Sequence, residues 1–238
     1  MNFSKVQYYF SNSRMHRYYK ASNESKENAM NLYILNLNVS KSFNPIISVF
    51  EVILRNKINY VLTILFNNNN WIIDEKNGFM RNLQLINPHT KNHNLTNFYL
   101  RKEILYTETR LKKRKSTITS CKLISEQSFG FWTCFFDLNY YKILKGSPIK
   151  IFKNLPPHIG RKEISDQINK IRKFRNRINH NEPICFKHNT VDFTEAIQVH
   201  EAILNLLTWI DPEILKFINE IDTVLVEINK KDPTFAGS

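Results

Sequence analysis

Ser165-Asp166-Gln167-Ile168-Asn169-Lys170-Ile171-Arg172-Lys173-Phe174-Arg175-Asn176-Arg177-Ile178-Asn179-His180-Asn181-Glu182-Pro183 is the stretch from which the rest of the chain is best read. Ile168, Ile171, Phe174 and Ile178 recur at steps of three and four, so a helix turning about 100° per residue gathers them into one apolar stripe. Ser165 is the predicted N-cap. Pro183 disfavours helical backbone at Glu182, so the helix is predicted to end just before it.

On such a helix Asn176 and His180, four apart, share a face, while Arg175 shares one with Asn179. Arg175 and His180 are then neighbours at the edge of the polar side and not a stacked pair. The residue types suit phosphate chemistry. A guanidinium grips a phosphate with a planar fork of donors, and an imidazole can give or take a proton near neutral pH. The same residues also fit a plainer description, an arginine and a histidine on a solvated helix face, and the spacing alone does not choose between the two.

Composition narrows the classes. A chain of 238 residues can bury one substantial core or two small ones. Five glycines and eight prolines supply few turns, which argues against a many-stranded β protein and for a mostly helical one. The net charge of +13 and pI near 9.6 favour an anionic partner, nucleic acid first and an anionic membrane surface second. Cys121, Cys134 and Cys185 have no paired spacing and are read as reduced core residues of a cytoplasmic protein. The seven histidines lack partners at ligand spacing, so neither a metal site nor a cofactor is expected. The opening residues are too polar for a signal peptide, and the longest apolar run, near Ile46 to Phe66, carries too many polar residues to span a bilayer.

Along the chain, residues 24–40 and 45–66 read as two helices, with Pro45 opening the second. Residues 67–97, with Pro88, His89 and His93, read as a polar excursion. Residues 98–115 read as a helix ending in the densest basic cluster, Arg110-Leu111-Lys112-Lys113-Arg114-Lys115, which is either a solvated helix end or an RNA contact. Ser125 to Leu144 reads as one aromatic helix, buried, with a stacking platform for bases as the alternative. Helices at roughly 192–210 and 212–230 close the chain. Arg55-Asn56-Lys57-Ile58-Asn59-Tyr60 echoes 175–180 with Tyr for His, in surroundings that do not repeat.

Three blocks together resemble the Abi-like abortive-infection family (the AbiD and AbiF group), whose members carry a HEPN-type module. They are Ala29-Met30-Asn31-Leu32-Tyr33-Ile34-Leu35-Asn36 leading to Glu51-Val52-Ile53-Leu54-Arg55-Asn56, then Phe129-Gly130-Phe131-Trp132, then Arg175-Asn176-Arg177-Ile178-Asn179-His180-Asn181-Glu182-Pro183-Ile184. The third is the most specific, because the family pattern runs Arg-Asn-Arg-Ile-x-His-x-Glu-Pro-Ile. One departure stands out: the family often has two consecutive histidines, and Asn181 occupies the second place here.

The resemblance implies an all-α protein, a HEPN-type helical bundle with additional N-terminal helices. It would form a single unit over 1–238, with N-terminal helices and the polar excursion in 1–97 and the bundle core in 98–238. It further implies a metal-independent endoribonuclease acting as a toxin or anti-phage effector. Its composite site would form across a homodimer, with RNA and not DNA as substrate, because the nucleophile is the ribose 2′-hydroxyl. Carried onto this sequence, His180 would be the general acid or base, Arg175 would steady the charge on phosphorus, and Asn176 would orient the imidazole or hold a phosphate oxygen. Arg172, Arg177 and Asn179, with Lys112, Lys113, Arg114 and Lys115, are candidate RNA contacts. A non-catalytic RNA-binding protein, for example one bound to a partner noncoding RNA, and a protein-interaction module remain the alternatives.

Overall fold

The computed structural model describes residues 2–85 and 98–231. In chain order its elements are α1 (Phe3–Phe10), α2 (Asn12–Ala21), α3 (Lys26–Phe66), α4 (Trp71–Asp74), α5 (Tyr99–Lys113), α6 (Ser120–Glu126), α7 (Phe129–Thr133), α8 (Leu138–Ile143), α9 (Arg161–Asn179), β1 (Phe186–Lys187), β2 (Thr190–Val191), α10 (Thr194–Ile210), α11 (Ile214–Asn219) and α12 (Val224–Ile228). Helix dominates, as the shortage of turn residues predicts. The strands form one antiparallel ribbon pairing Phe186 with Val191 and Lys187 with Thr190.

Contacts divide the chain into two compact units, neither of them a continuous half of the sequence. One unit comprises Met1–Phe50, Lys170–Thr208 and Pro212–Ser238, and the other Glu51–Asn169 with Trp209–Asp211.

In the first unit the core gathers Leu32, Val39, Phe43, Ile46 and Phe50 of α3, Ile171 and Phe174 of α9, and Val199, Ile203 and Leu206 of α10, all fully buried. The Phe43 and Phe174 rings meet edge to face with centroids 4.8 Å apart, a favoured geometry for aromatic quadrupoles. A buried pair, His200 Nε2 and Asp222 Oδ2 at 2.5 Å, also belongs to this unit.

In the second unit the core is aromatic. Trp71, Phe79, Phe131, Trp132 and Phe135 are buried, with Phe135 edge-on to Trp71 at 6.2 Å and to Phe131 at 5.7 Å. Trp71 donates its indole N–H to Asn59 Oδ1 at 2.8 Å, which gives one residue of the 55–60 echo a structural task in the middle of α3.

Several elements differ from their sequence reading. Pro45 does not open a helix; it lies inside the 41-residue α3. Its fixed φ suits the helix, and what it removes is the bond to the Lys41 carbonyl. Phe43, Ile46, Ile47 and Phe50 are buried on both sides of it, which outweighs one missing bond. The polar excursion contributes to the core: Trp71, Ile72, Phe79 and Met80 are buried, while Pro88, His89 and His93 lie outside the described residues. The aromatic segment is not one helix. Ser128 caps α7 by accepting from the Phe131 N–H, and a 3-10 turn at Cys134–Phe136 separates α7 from α8. The last predicted helix is broken likewise, into α11 and α12, around Asp222, whose Oδ1 takes the Val224 N–H. Among the described residues no helix is long and apolar enough to cross a membrane.

Phe174→Ala is expected to lower the unfolding free energy by about 3–5 kcal/mol, the cost of emptying a fully buried aromatic site, and Phe174→Leu by clearly less. Denaturant titration checks this; an alanine variant as stable as the parent would show that Phe174 is not packed as described.

Candidate functional site

Helix α9 starts earlier than Ser165 implied. Gly160 accepts the Ile164 N–H and donates its own N–H to Glu163 Oε2 at 3.1 Å, half of a capping box. Backbone N–H groups, that of Glu163 itself foremost, hold the Glu163 carboxyl below the usual carboxylate range. Ser165 is buried inside the helix, where its Oγ accepts from Asn169 Nδ2. The apolar stripe is as the spacing predicts: Ile164, Ile168, Ile171 and Phe174 are fully buried, and Ile178 nearly so.

The end of α9 decides how the candidate residues are presented. The His180 N–H still reaches the Asn176 carbonyl at 3.0 Å. Asn181 then turns left-handed, with φ at 54°. Its N–H returns to the Ile178 carbonyl, and the Glu182 N–H to the Arg177 carbonyl, both at 2.9 Å. This pair of bonds is a Schellman motif with Asn181 at the left-handed position. Pro183 follows it and does not cause it. Asparagine suits this position, since it adopts left-handed backbone more readily than most residues bearing a Cβ.

Long-range contacts hold this turn. Arg177, a candidate RNA contact from the sequence, spans it: Nη2 donates to the Pro183 carbonyl and Nη1 to Glu195 Oε2, each at 2.5 Å, with Glu182 Oε2 3.8 Å from Nε. Its charge is offset locally and its fork is occupied, so its first task is to brace the turn. From α2, Arg14 Nη1 donates to the Asn181 carbonyl at 2.7 Å. Arg17 donates to the His188 carbonyl and lies over the Phe186 ring at 4.4 Å. Asn36 of α3 accepts the Ile184 N–H at 2.9 Å. None of Arg14, Arg17, Asn36 and Glu195 is a site candidate on the sequence alone. No local pattern flags them, because Arg14 and Asn181 stand 167 positions apart.

Asn176, Asn179 and His180 are exposed, and among the described residues none engages their side-chain polar atoms. Arg172 and Arg175 are half-buried, and each interacts with neighbouring groups. The C-terminal half of α9 therefore brings Arg172, Arg175, Asn176, Arg177, Asn179 and His180 onto one short length of helix. A cavity of about 270 Å³ lined by Phe186, Lys187, Asp192, Thr194, Glu195 and Gln198 borders Arg177's partner but includes none of these six. His180 stands on open surface. His200, by contrast, is 3% exposed and closed off with Asp222, so it offers a substrate no access.

The basic cluster belongs to the other unit. Lys112 and Lys113 are exposed at the end of α5, whereas Arg114 and Arg110 both pair with Glu126. Lys115 is exposed too, but it also terminates α5: at φ 52° it donates to the Lys112 carbonyl while Ser116 donates to Leu111. Phe129, Phe131, Trp132, Phe135 and Phe136 are buried and offer no stacking platform.

Of the cysteines, Cys134 and Cys185 are buried as expected, but Cys121 is exposed; none is in a disulfide. Burial pushes the Cys185 thiol up to about 12, which keeps it protonated and unreactive despite its closeness in sequence to the turn. Among the described residues no group of three His, Cys, Asp or Glu is placed to hold a metal ion. No protein-family model matches this sequence, and neither a search of curated proteins nor one of solved structures finds a similar protein.

Asn181→Ala should lower stability by about 1 kcal/mol, because it puts a residue without a local side-chain acceptor into left-handed backbone. Asn181→Gly should match or exceed the parent, since glycine has no Cβ to clash. Thermal unfolding of both variants checks the turn; an alanine variant at least as stable as the glycine one would contradict it.

Proposed function

We propose that the chain is a HEPN-type, metal-independent endoribonuclease that acts as a toxin or abortive-infection effector. The observation that carries this is the presentation of His180: it is exposed, free of side-chain partners among the described residues, and held one residue before a braced left-handed turn. Arg175 and Asn176 precede it on the same helix, and every fixed position of the family pattern is matched from Arg175 to Ile184, with Asn181 standing where the family often has a second histidine.

The chemistry follows from these groups. The ribose 2′-oxygen attacks the adjacent phosphorus and the 5′-oxygen leaves, so one P–O bond forms and one breaks. A base takes the 2′-hydroxyl proton and an acid returns one to the departing 5′-oxygen, giving a cyclic phosphate and a 5′-hydroxyl. His180 performs one of these transfers. Arg175 offsets the charge that builds on the phosphorane oxygens, and Asn176, on the His180 face of the helix, orients the imidazole or holds a phosphate oxygen.

His180 on open surface lacks the walls that exclude water and strengthen such contacts. A homodimer in which two copies of the 175–180 segment meet would supply them, so the proposed active form is the dimer. The net charge of +13 suits RNA as substrate. The second reading, an RNA-binding protein without cleavage and paired with a noncoding RNA, draws on the same charge.

Purified protein incubated with labelled RNA and with DNA of the same sequence, in EDTA, should cleave only the RNA, and His180→Ala should reduce cleavage by at least about a hundredfold. RNA bound but left intact by the parent protein would favour the second reading. Cleavage unchanged by His180→Ala would refute the assignment.

A further inference from the structure

The first 23 residues contain Lys5, Arg14, Arg17 and Lys20, and no aspartate or glutamate. They also present aromatic surface that the core does not use. On α1, Phe3 and Val6 are buried, whereas Tyr8 and Tyr9 are 83% and 69% exposed. Their rings meet edge to face with centroids 5.2 Å apart. Phe10 is part exposed but rests on Tyr33, at 5.5 Å, so the unclaimed pair is Tyr8–Tyr9. Lys5 lies three and four residues before them, on the same face of the helix. Two adjacent large aromatics left in water beside a cation form a surface that folding does not account for.

The pair is also held in place. Ser11 takes a left-handed φ of 71° between α1 and α2 and caps α2 by accepting the Arg14 N–H at 3.3 Å. Gln7 Nε2 donates to Asn12 Oδ1 across the same elbow at 2.9 Å. Arg14 in turn grips the carbonyl of Asn181, the neighbour of His180. Arg14 stands five positions after Tyr9, which bounds their Cα distance at roughly 18 Å. The elbow therefore lies within a few nucleotides' reach of the proposed scissile position.

We propose that Tyr8 and Tyr9, with Lys5, form a stacking subsite for unpaired bases of single-stranded RNA flanking the cleavage position. The proposal rests on the ribonuclease reading for its substrate. Bases stack on aromatic rings whatever their identity, while cations follow the phosphates, which is the combination this elbow offers. Bases held in a duplex are stacked already and cannot be splayed onto the tyrosines, so the subsite selects single strands.

The test is binding of a fluorescein-labelled single-stranded RNA carrying 2′-O-methyl groups throughout, which the proposed chemistry cannot cleave. It is compared with the same RNA as a duplex and with vesicles containing anionic phospholipid. Tyr8→Ala/Tyr9→Ala should weaken single-strand binding at least about tenfold, and Tyr8→Trp/Tyr9→Trp should retain it. The two side chains are exposed, and an unchanged Tm confirms that each variant is folded. Affinity of the double alanine variant within about twofold of the parent overturns the subsite. If that variant still cleaves RNA in a His180-dependent way, the ribonuclease reading stands without the subsite. Duplex bound as tightly as single strand also overturns it, as does a parent protein that binds no single strand. Vesicle binding lost in the double alanine variant while RNA affinity is unchanged overturns it in favour of a membrane surface.

Discussion

A mostly helical chain with only five glycines must stop its helices on residues that carry a Cβ. A helix's last carbonyls need partners, and the common way to supply them is one left-handed residue just past the end. Here that position falls to Asn67 after α3, Lys115 after α5, Lys145 after α8 and Asn181 after α9, all at positive φ. In each case the next N–H reaches back five residues to close the turn. The turn after α9 matters most, because His180 sits between the last helical residue and the left-handed one. Its direction is set by the backbone and then braced by Arg177 from within and by Arg14 from α2.

This arrangement separates cations used by the fold from cations left exposed. Arg177 and Arg14 hold the turn, and Arg110 and Arg114 are matched by Glu126. Lys112 and Lys113 remain exposed at the end of α5. A net charge of +13 therefore overstates what is available at any one place, and what gives the proposed site its character is geometry: an exposed histidine beside a hydrogen-bonded turn. Catalytic groups need such support, because a loosely held imidazole spends little time in reach of the proton it must move.

How far the sequence could be read depends on the range of the interaction involved. The stripe Ile168, Ile171, Phe174 and Ile178 is local and periodic, and the helix it predicts is present with those residues buried. Helix ends were less legible. Ser165 has the chemistry of a cap but is buried mid-helix, because Gly160 and Glu163 close the N-terminus first. Pro45 resembles a helix start, yet core residues on both sides carry α3 through it. The aromatic run from 129 to 136 is too apolar all round for periodicity to show where it breaks, and only the Ser128 cap and the 3-10 turn reveal it. At the candidate site, the 175–180 segment could be found from its residue types. Arg14, Asn36 and Glu195 could not, since their contacts join segments distant in sequence.

The most direct measurement is the chemical nature of the ends left on cleaved RNA, read by mass spectrometry after incubation in EDTA. Attack by the 2′-hydroxyl, with His180 moving the proton, predicts a 2′,3′-cyclic phosphate on one fragment and a 5′-hydroxyl on the other, and neither in the His180→Ala reaction. A 3′-hydroxyl paired with a 5′-phosphate would mean that water and not the ribose is the nucleophile, and would contradict the role assigned to His180.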